Sequence, residues 1–218
     1  MTAEELSAAW PLLTKQVKSL STPWLENYAG SDRNPFKVLI SCLLSLRTQD
    51  KTTGEASERL FALASVPEVL AGLPVKTIEK AIYPVGFYRV KAQRIKAISR
   101  EIIKRYGGKV PDTIEELLTL NGVGRKTANL VVVLGYDKPG ICVDTHVHRI
   151  TNRWGYVKTK SPDETEVALR EKLPRKYWKV INRLLVAFGQ NICKPISPLC
   201  SICGLNQYCQ KVNVTSHR

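Results

Sequence analysis

Four cysteines, Cys193, Cys200, Cys203 and Cys209, follow one another in the pattern C-x6-C-x2-C-x5-C. Four thiolates on one short loop suit a zinc ion or an iron–sulfur cluster. Zinc sites usually combine two close-spaced pairs, and Cys200/Cys203 is the one such pair here, so spacing leans modestly toward iron–sulfur. Pro195 and Pro198 stiffen the loop, and nothing nearby resembles an electron-transfer partner site, which points to a structural role. The N-terminus carries Glu4 and Glu5 and lacks a basic start followed by an apolar core. No signal peptide is therefore expected, and disulfides are not expected either. Cys42 and Cys142 stand alone in apolar stretches and read as core residues.

A second constellation is Leu120-Asn121-Gly122-Val123-Gly124-Arg125-Lys126-Thr127-Ala128. Two glycines two apart permit a tight turn and close backbone approach. The amides that follow would open a helix and offer donors to a phosphate. An ordinary helix–helix connector also uses glycine, so a bare Gly-x-Gly decides little. Lys126 would occupy the first turn of the new helix, where Arg125 and the positive helix end disfavour an ammonium. Such a lysine is either a neutral nucleophile or a phosphate-binding cation, and residue type alone leaves both open. Asp144 precedes a helix expected over Thr145 to Arg153. It would cap that helix, and a capping carboxylate is also placed to face developing positive charge. His146 and His148 read as packing or phosphate contacts.

The elements that must hold these residues are helices. Apolar residues recur at helical spacing over 2–20, 35–46, about Thr52 to Ser65, 174–189 and 88–106. In the last of these Ile95, Ile98, Ile102 and Tyr106 share one face, and Lys91, Arg94, Arg100, Lys104 and Arg105 occupy the rest. Gly107-Gly108 ends that helix. Ser-Pro-Asp-Glu opens another over 161–172, and Thr113 to Leu118 forms a short one with Thr113 and Glu116 as a capping box. Val131 to Val133 lacks alternation and reads as buried helix. No strand pairs are evident, so the class is all-α.

Lys plus Arg number 33 against 19 Asp plus Glu, a formal charge of +14. Such an excess suits a polyanion partner, most often nucleic acid, although a plain basic surface would carry the same count. No apolar run approaches a membrane span, and an intracellular protein is expected, cytoplasmic if prokaryotic.

Taken together, the hairpin and the cysteine spacing resemble the endonuclease III family of DNA glycosylases. Three further segments are similar: Leu43 to Asp50, Val85 to Ala92, and Val143 to Val147. The resemblance spans nearly the whole chain. It implies two helical lobes, a six-helix lobe at 28–137 with the helix-hairpin-helix, and a cluster lobe made of 1–27 with 138–218, with DNA lying across the cleft between them. It implies a [4Fe-4S] cluster on Cys193, Cys200, Cys203 and Cys209, Lys126 as Schiff-base nucleophile, and Asp144 as the catalytic carboxylate. Gly122, Val123, Gly124 and Arg125 would contact DNA. Phe87 would pry bases apart, and Arg47 stands where many members have Gln filling the gap left by a flipped base. Asn121 replaces a frequent hairpin proline. The implied activity is a bifunctional glycosylase/AP lyase acting on oxidised pyrimidines in duplex DNA, as a monomer acting on damaged or abasic duplexes. Alternatives are a monofunctional uracil or mismatch glycosylase, which usually lacks the lysine, and a non-catalytic DNA-binding module.

Overall fold

The structure is a computed structural model and describes residues 1–20 and 33–218. Among the described residues there are helices, turns and loops but no strand. No helix among them is long and apolar enough to cross a membrane. The chain divides into two compact units, Met1–Pro23 with Ile141–Arg218, and Trp24–Gly140. The boundary expected between residues 27 and 28 lies outside the described residues.

The continuous unit is built around α2, Pro35–Ser45. Asn34 caps it by accepting from the amides of Phe36 and Lys37, and Pro35 at the first helical position needs no donor. Phe36 and every residue from Val38 to Leu44 is buried, so α2 is apolar all round and occupies the centre. Around it pack α3 (Asp50–Leu63), α6 (Tyr88–Tyr106), α8 (Arg125–Leu130) and the π-helical turn Val131–Gly135 that continues α8. Two short helices, α4 (Pro67–Gly72) and α5 (Val75–Ile82), lie against α6 and were not announced by periodicity. Helix α6 spans the residues expected, and Gly107 ends it at φ 58°. The short α7 is Ile114–Leu118. Its cap is half a box: the Glu116 amide donates to Thr113 Oγ1, but the Glu116 carboxylate takes the Thr113 hydroxyl rather than its amide.

The discontinuous unit pairs α1 (Ala3–Val17) and α9 (Thr145–Arg153) with α11 (Trp178–Asn191), and α10 (Pro162–Lys172) lies against α9. A full capping box starts α1, with Glu5 N–H on Thr2 Oγ1 and Thr2 N–H on Glu5 Oε2. Trp154, Tyr156, Phe188, Leu6 and Leu13 are among its fully buried side chains. The segment expected as helix over 174–189 begins instead as a 3₁₀ turn, Arg175–Tyr177, before α11 takes over.

Candidate functional site

In the continuous unit the hairpin joins α7 to α8. Gly122 has φ +86°, so the backbone sign favours glycine, and a Cβ there would meet only the movable Arg94 side chain, 2.6 Å from its Cδ. Val123 is buried and its amide donates to Leu120 O at 3.0 Å, which closes the turn. Gly124 differs: its φ is −95°, and a Cβ there would meet open space. Nothing within the protein requires glycine at 124. Lys126 is exposed at the second position of α8, while the next residues, Thr127 and Ala128, are buried. Packing thus fixes the helix beneath a lysine whose side chain faces solvent. The Cys42 thiol lies close enough to Lys126 to feel its charge, but burial dominates and pushes that thiol up to about 12. Cys42 is therefore inert core, as is Cys142 at 3 % exposure.

Two more predicted residues meet in this unit. Arg47 follows α2, and Phe87 caps α6. Both have left-handed backbones, φ 54° and 58°, which bulky residues rarely adopt. Both are exposed, and the Arg47 guanidinium sits 5.7 Å from the Phe87 ring centroid. Backbone strain at two touching, exposed side chains is the pattern of a functional surface rather than a core. Lys91 corrects the reading of α6 as having a basic polar face at that position. It is only 6 % exposed, and its Nζ donates to Leu44 O, Leu46 O and Thr48 Oγ1 at 2.7, 2.6 and 3.1 Å. The signal was in the sequence: Lys91, Ile95, Ile98 and Ile102 are spaced by four, three and four, one helical face.

In the discontinuous unit Asp144 caps α9. Its Oδ1 accepts from the amides of His146 and Val147, each at 2.9 Å, so a single oxygen carries the cap and Oδ2 stays out of it. The side chain is half-buried, and its charge supports that of Arg149 in the same helix. His148 is engaged by Thr165 and Asn152, and His146 Nδ1 meets Arg149 at 3.1 Å, which assigns both histidines to packing networks.

The four clustered cysteines line one pocket with Phe188 and Ile192, among others. Among the described residues no group of His, Cys, Asp or Glu closes tightly enough to hold a single metal ion. Two 3₁₀ turns, Cys200–Ile202 and Asn206–Tyr208, fold the loop. Side chains sequence reasoning had not singled out tie it down. Arg153 donates to Lys194 O and Pro195 O at 2.6 Å each and reaches Cys193 Sγ at 3.5 Å. Gln16 of α1 brackets the loop, donating to Ile202 O and accepting from Gly204 N–H. The Lys211 amide donates to Cys209 Sγ at 3.4 Å. Burial, reinforced by the three other cysteines, pushes the Cys203 thiol up to about 11. Four thiolates here would need a cationic group to hold them, and the donor set fits a group that accepts sulfur ligands.

Residues 40–175 match the family described as HhH-GPD superfamily base excision DNA repair protein. Endonuclease III of Thermotoga maritima is 51% identical over 179 residues, covering 82% of this chain and 84% of that protein. Endonuclease III of Bacillus subtilis is 38% identical, covering 82% of each. Among solved structures, a trapped endonuclease III–DNA covalent intermediate superposes with a TM-score of 0.85, 32% identity and 97% of both chains. A thermostable thymine-DNA glycosylase superposes with a TM-score of 0.82 and 25% identity, over 95% of this chain and 96% of that one. The chain belongs to the endonuclease III family.

Proposed function

We propose that this bifunctional DNA glycosylase and AP lyase of base excision repair uses Lys126 as its nucleophile and Asp144 as its catalytic carboxylate. The observation that carries the reading is the exposed Lys126 on a packed helix start, directly after the Gly122-Val123-Gly124 turn. The target base leaves the duplex stack, because its glycosidic bond is unreachable inside it. The Lys126 amine attacks C1′, the C1′–N bond breaks, and the base departs with its electron pair. Asp144 stabilises the positive charge growing at the sugar and takes a proton from the attacking amine. Loss of the ring oxygen from C1′ gives a protonated imine, which acidifies the C2′ proton. Removal of that proton expels the 3′ phosphate by β-elimination.

The remaining assignments are part of the same proposal. Gly122, Val123, Gly124 and Arg125 form the phosphate-facing hairpin of the lobe drawn at 28–137. The open space at Gly124 supports this, since a bare backbone there lets a phosphate approach the amides. Phe87 enters the base stack and Arg47 meets the base left unpaired. Cys193, Cys200, Cys203 and Cys209 hold a [4Fe-4S] cluster that orders the loop of the lobe drawn from 1–27 and 138–218. When bound, that group supplies structural cross-linking, and the chemistry at the sugar runs through side chains alone. The substrate is duplex DNA with oxidised pyrimidines or abasic sites, and the protein acts as a monomer. The likeness to a thymine-DNA glycosylase is the observation behind a second reading, monofunctional mismatch excision.

Borohydride trapping on an abasic duplex separates the two. The wild-type protein should form a covalent adduct, and Lys126→Gln should form none while still binding DNA. Trapping that persists in Lys126→Gln refutes the nucleophile, and a wild-type protein that excises bases without trapping establishes the monofunctional reading.

A further inference from the structure

Lys91 joins two loops that the chain separates by about forty residues. Its Nζ donates to Leu44 O and Leu46 O, at the end of α2, and to Thr48 Oγ1. Thr48 Oγ1 also accepts the Gly86 amide at 3.2 Å, from the turn that leads into α6. The two loops touch at backbone level, since a Cβ on Gly86 would lie 2.6 Å from Arg47 O. Each loop carries one exposed candidate-site residue with a left-handed backbone, Arg47 on one side and Phe87 on the other. Neither conformation would persist unless its surroundings over-determined it. Lys91 and Thr48 tie the two loops to each other, while Arg59 holds the Phe87 loop separately through Ala81 O and Tyr83 O.

The chemistry of the contact is specific to an ammonium. Two carbonyls and a hydroxyl match the three N–H donors of a charged lysine. Burial pushes Lys91 down to about 8, and Arg94 acts in the same direction, so the amine still carries its proton at neutral pH. An apolar side chain of similar length would fill this space but leave Leu44 O, Leu46 O and Thr48 Oγ1 without that donor.

We propose that Lys91 is a positioning residue, which locks the Arg47 and Phe87 loops in the one relative geometry that lets them enter a duplex as a pair. The proposal rests on the reading of Arg47 and Phe87 given above. Lys91 itself is too buried to reach DNA, so it acts through the loops.

The test uses Lys91→Met and Thr48→Val. The second variant removes the shared hydroxyl while keeping the β-branched shape, so it carries the test if the first misfolds. The substrate is an abasic duplex with 2-aminopurine opposite the lesion. Its fluorescence reports unstacking by the loops. The second readout is the ratio of borohydride trapping on this duplex to trapping on the same abasic strand without its complement. Both variants should give a weaker fluorescence rise, and a duplex-to-single-strand ratio lower by about fivefold, the equivalent of one net hydrogen bond. A merely structural lysine lowers both trapping rates together and keeps the ratio, which would overturn the proposal. So would fluorescence and ratio equal to wild type. A wild-type protein that does not trap at all overturns the lysine chemistry, a result visible before any variant is made, and the fluorescence of wild type against the variants then decides the loop proposal alone.

Discussion

Asp144 is the residue at which capping and catalysis can be separated by measurement. Both α9 cap bonds end on Oδ1, at 2.9 Å from the amides of His146 and Val147. Asparagine offers a carbonyl oxygen at the same place, so Asp144→Asn keeps the cap. It loses the charge interaction with the helix end, on the order of 0.3–1 kcal/mol. Alanine loses the cap as well, a further ~1 kcal/mol or somewhat more. For a protein of this size 1 kcal/mol moves Tm by about 2–4 °C. The Asn variant should therefore melt within a few degrees of wild type and the Ala variant below it. Activity should order differently. Both variants lack the carboxylate, and both should lose about 10²–10³-fold in single-turnover base excision, the usual cost of removing one transition-state charge contact. The assay is single-turnover excision on saturated enzyme–DNA complexes, with melting followed by circular dichroism. An Asn variant with near-normal turnover, beside an Ala variant impaired only in proportion to its instability, would make Asp144 a cap and nothing more.

Anaerobically expressed protein should contain about four irons per chain, and Cys203→Ser should lose iron and become protease-sensitive across residues 193–209; zinc without iron in elemental analysis would refute the cluster. Arg47→Ala should flatten the relative rates against the four opposite bases, with guanine losing most, because a guanidinium can donate twice to a guanine edge; unchanged ratios would remove Arg47 from that role. Lys91 titrates near 8 in the folded protein against 10.5 for the ordinary side chain. Between these values the unfolded chain binds more protons, so this group alone makes stability rise with pH across that window. Lys91→Met should abolish that rise, read as the difference between the two proteins' urea midpoints at pH 7.5 and 10.

What was legible from sequence was whatever depends on local spacing. The caps of Asp144 and Ser161 sit where short polar residues precede apolar periods, and α6 and α9 run over the residues expected. The Gly-Val-Gly turn could be read because Gly122 answers to its own backbone sign. The short helices α4 and α5 escaped because six or eight residues hold too few repeats to establish a period. The start of α3 was placed two residues late, since Gln49 caps it without a side-chain bond and leaves no signal. The ties of Arg153 and Gln16 to the cysteine loop were illegible for another reason. They span about 40 and 190 residues of chain, and their acceptors are main-chain carbonyls, which every residue has.

The tie made by Arg153 belongs with two others, from Lys91 and Arg149. A helix end leaves its last carbonyls without intrahelical partners, and a basic residue in the last turn can serve them. Neither α2 nor α11 has one. Each launches a loop that bears candidate site residues. In both cases a cation arrives from another helix. Lys91 of α6 serves Leu44 O and Leu46 O at the end of α2. Arg149 of α9 donates to Gly189 O and Cys193 O at the end of α11, while Arg153, one turn on, holds the next two carbonyls. The +14 charge therefore does not all belong to a nucleic-acid surface. Part of it is spent inside each unit, fixing the direction in which a functional loop leaves its helix. Substituting these three should change loop geometry before it changes salt-dependent affinity, whereas exposed lysines should do the reverse.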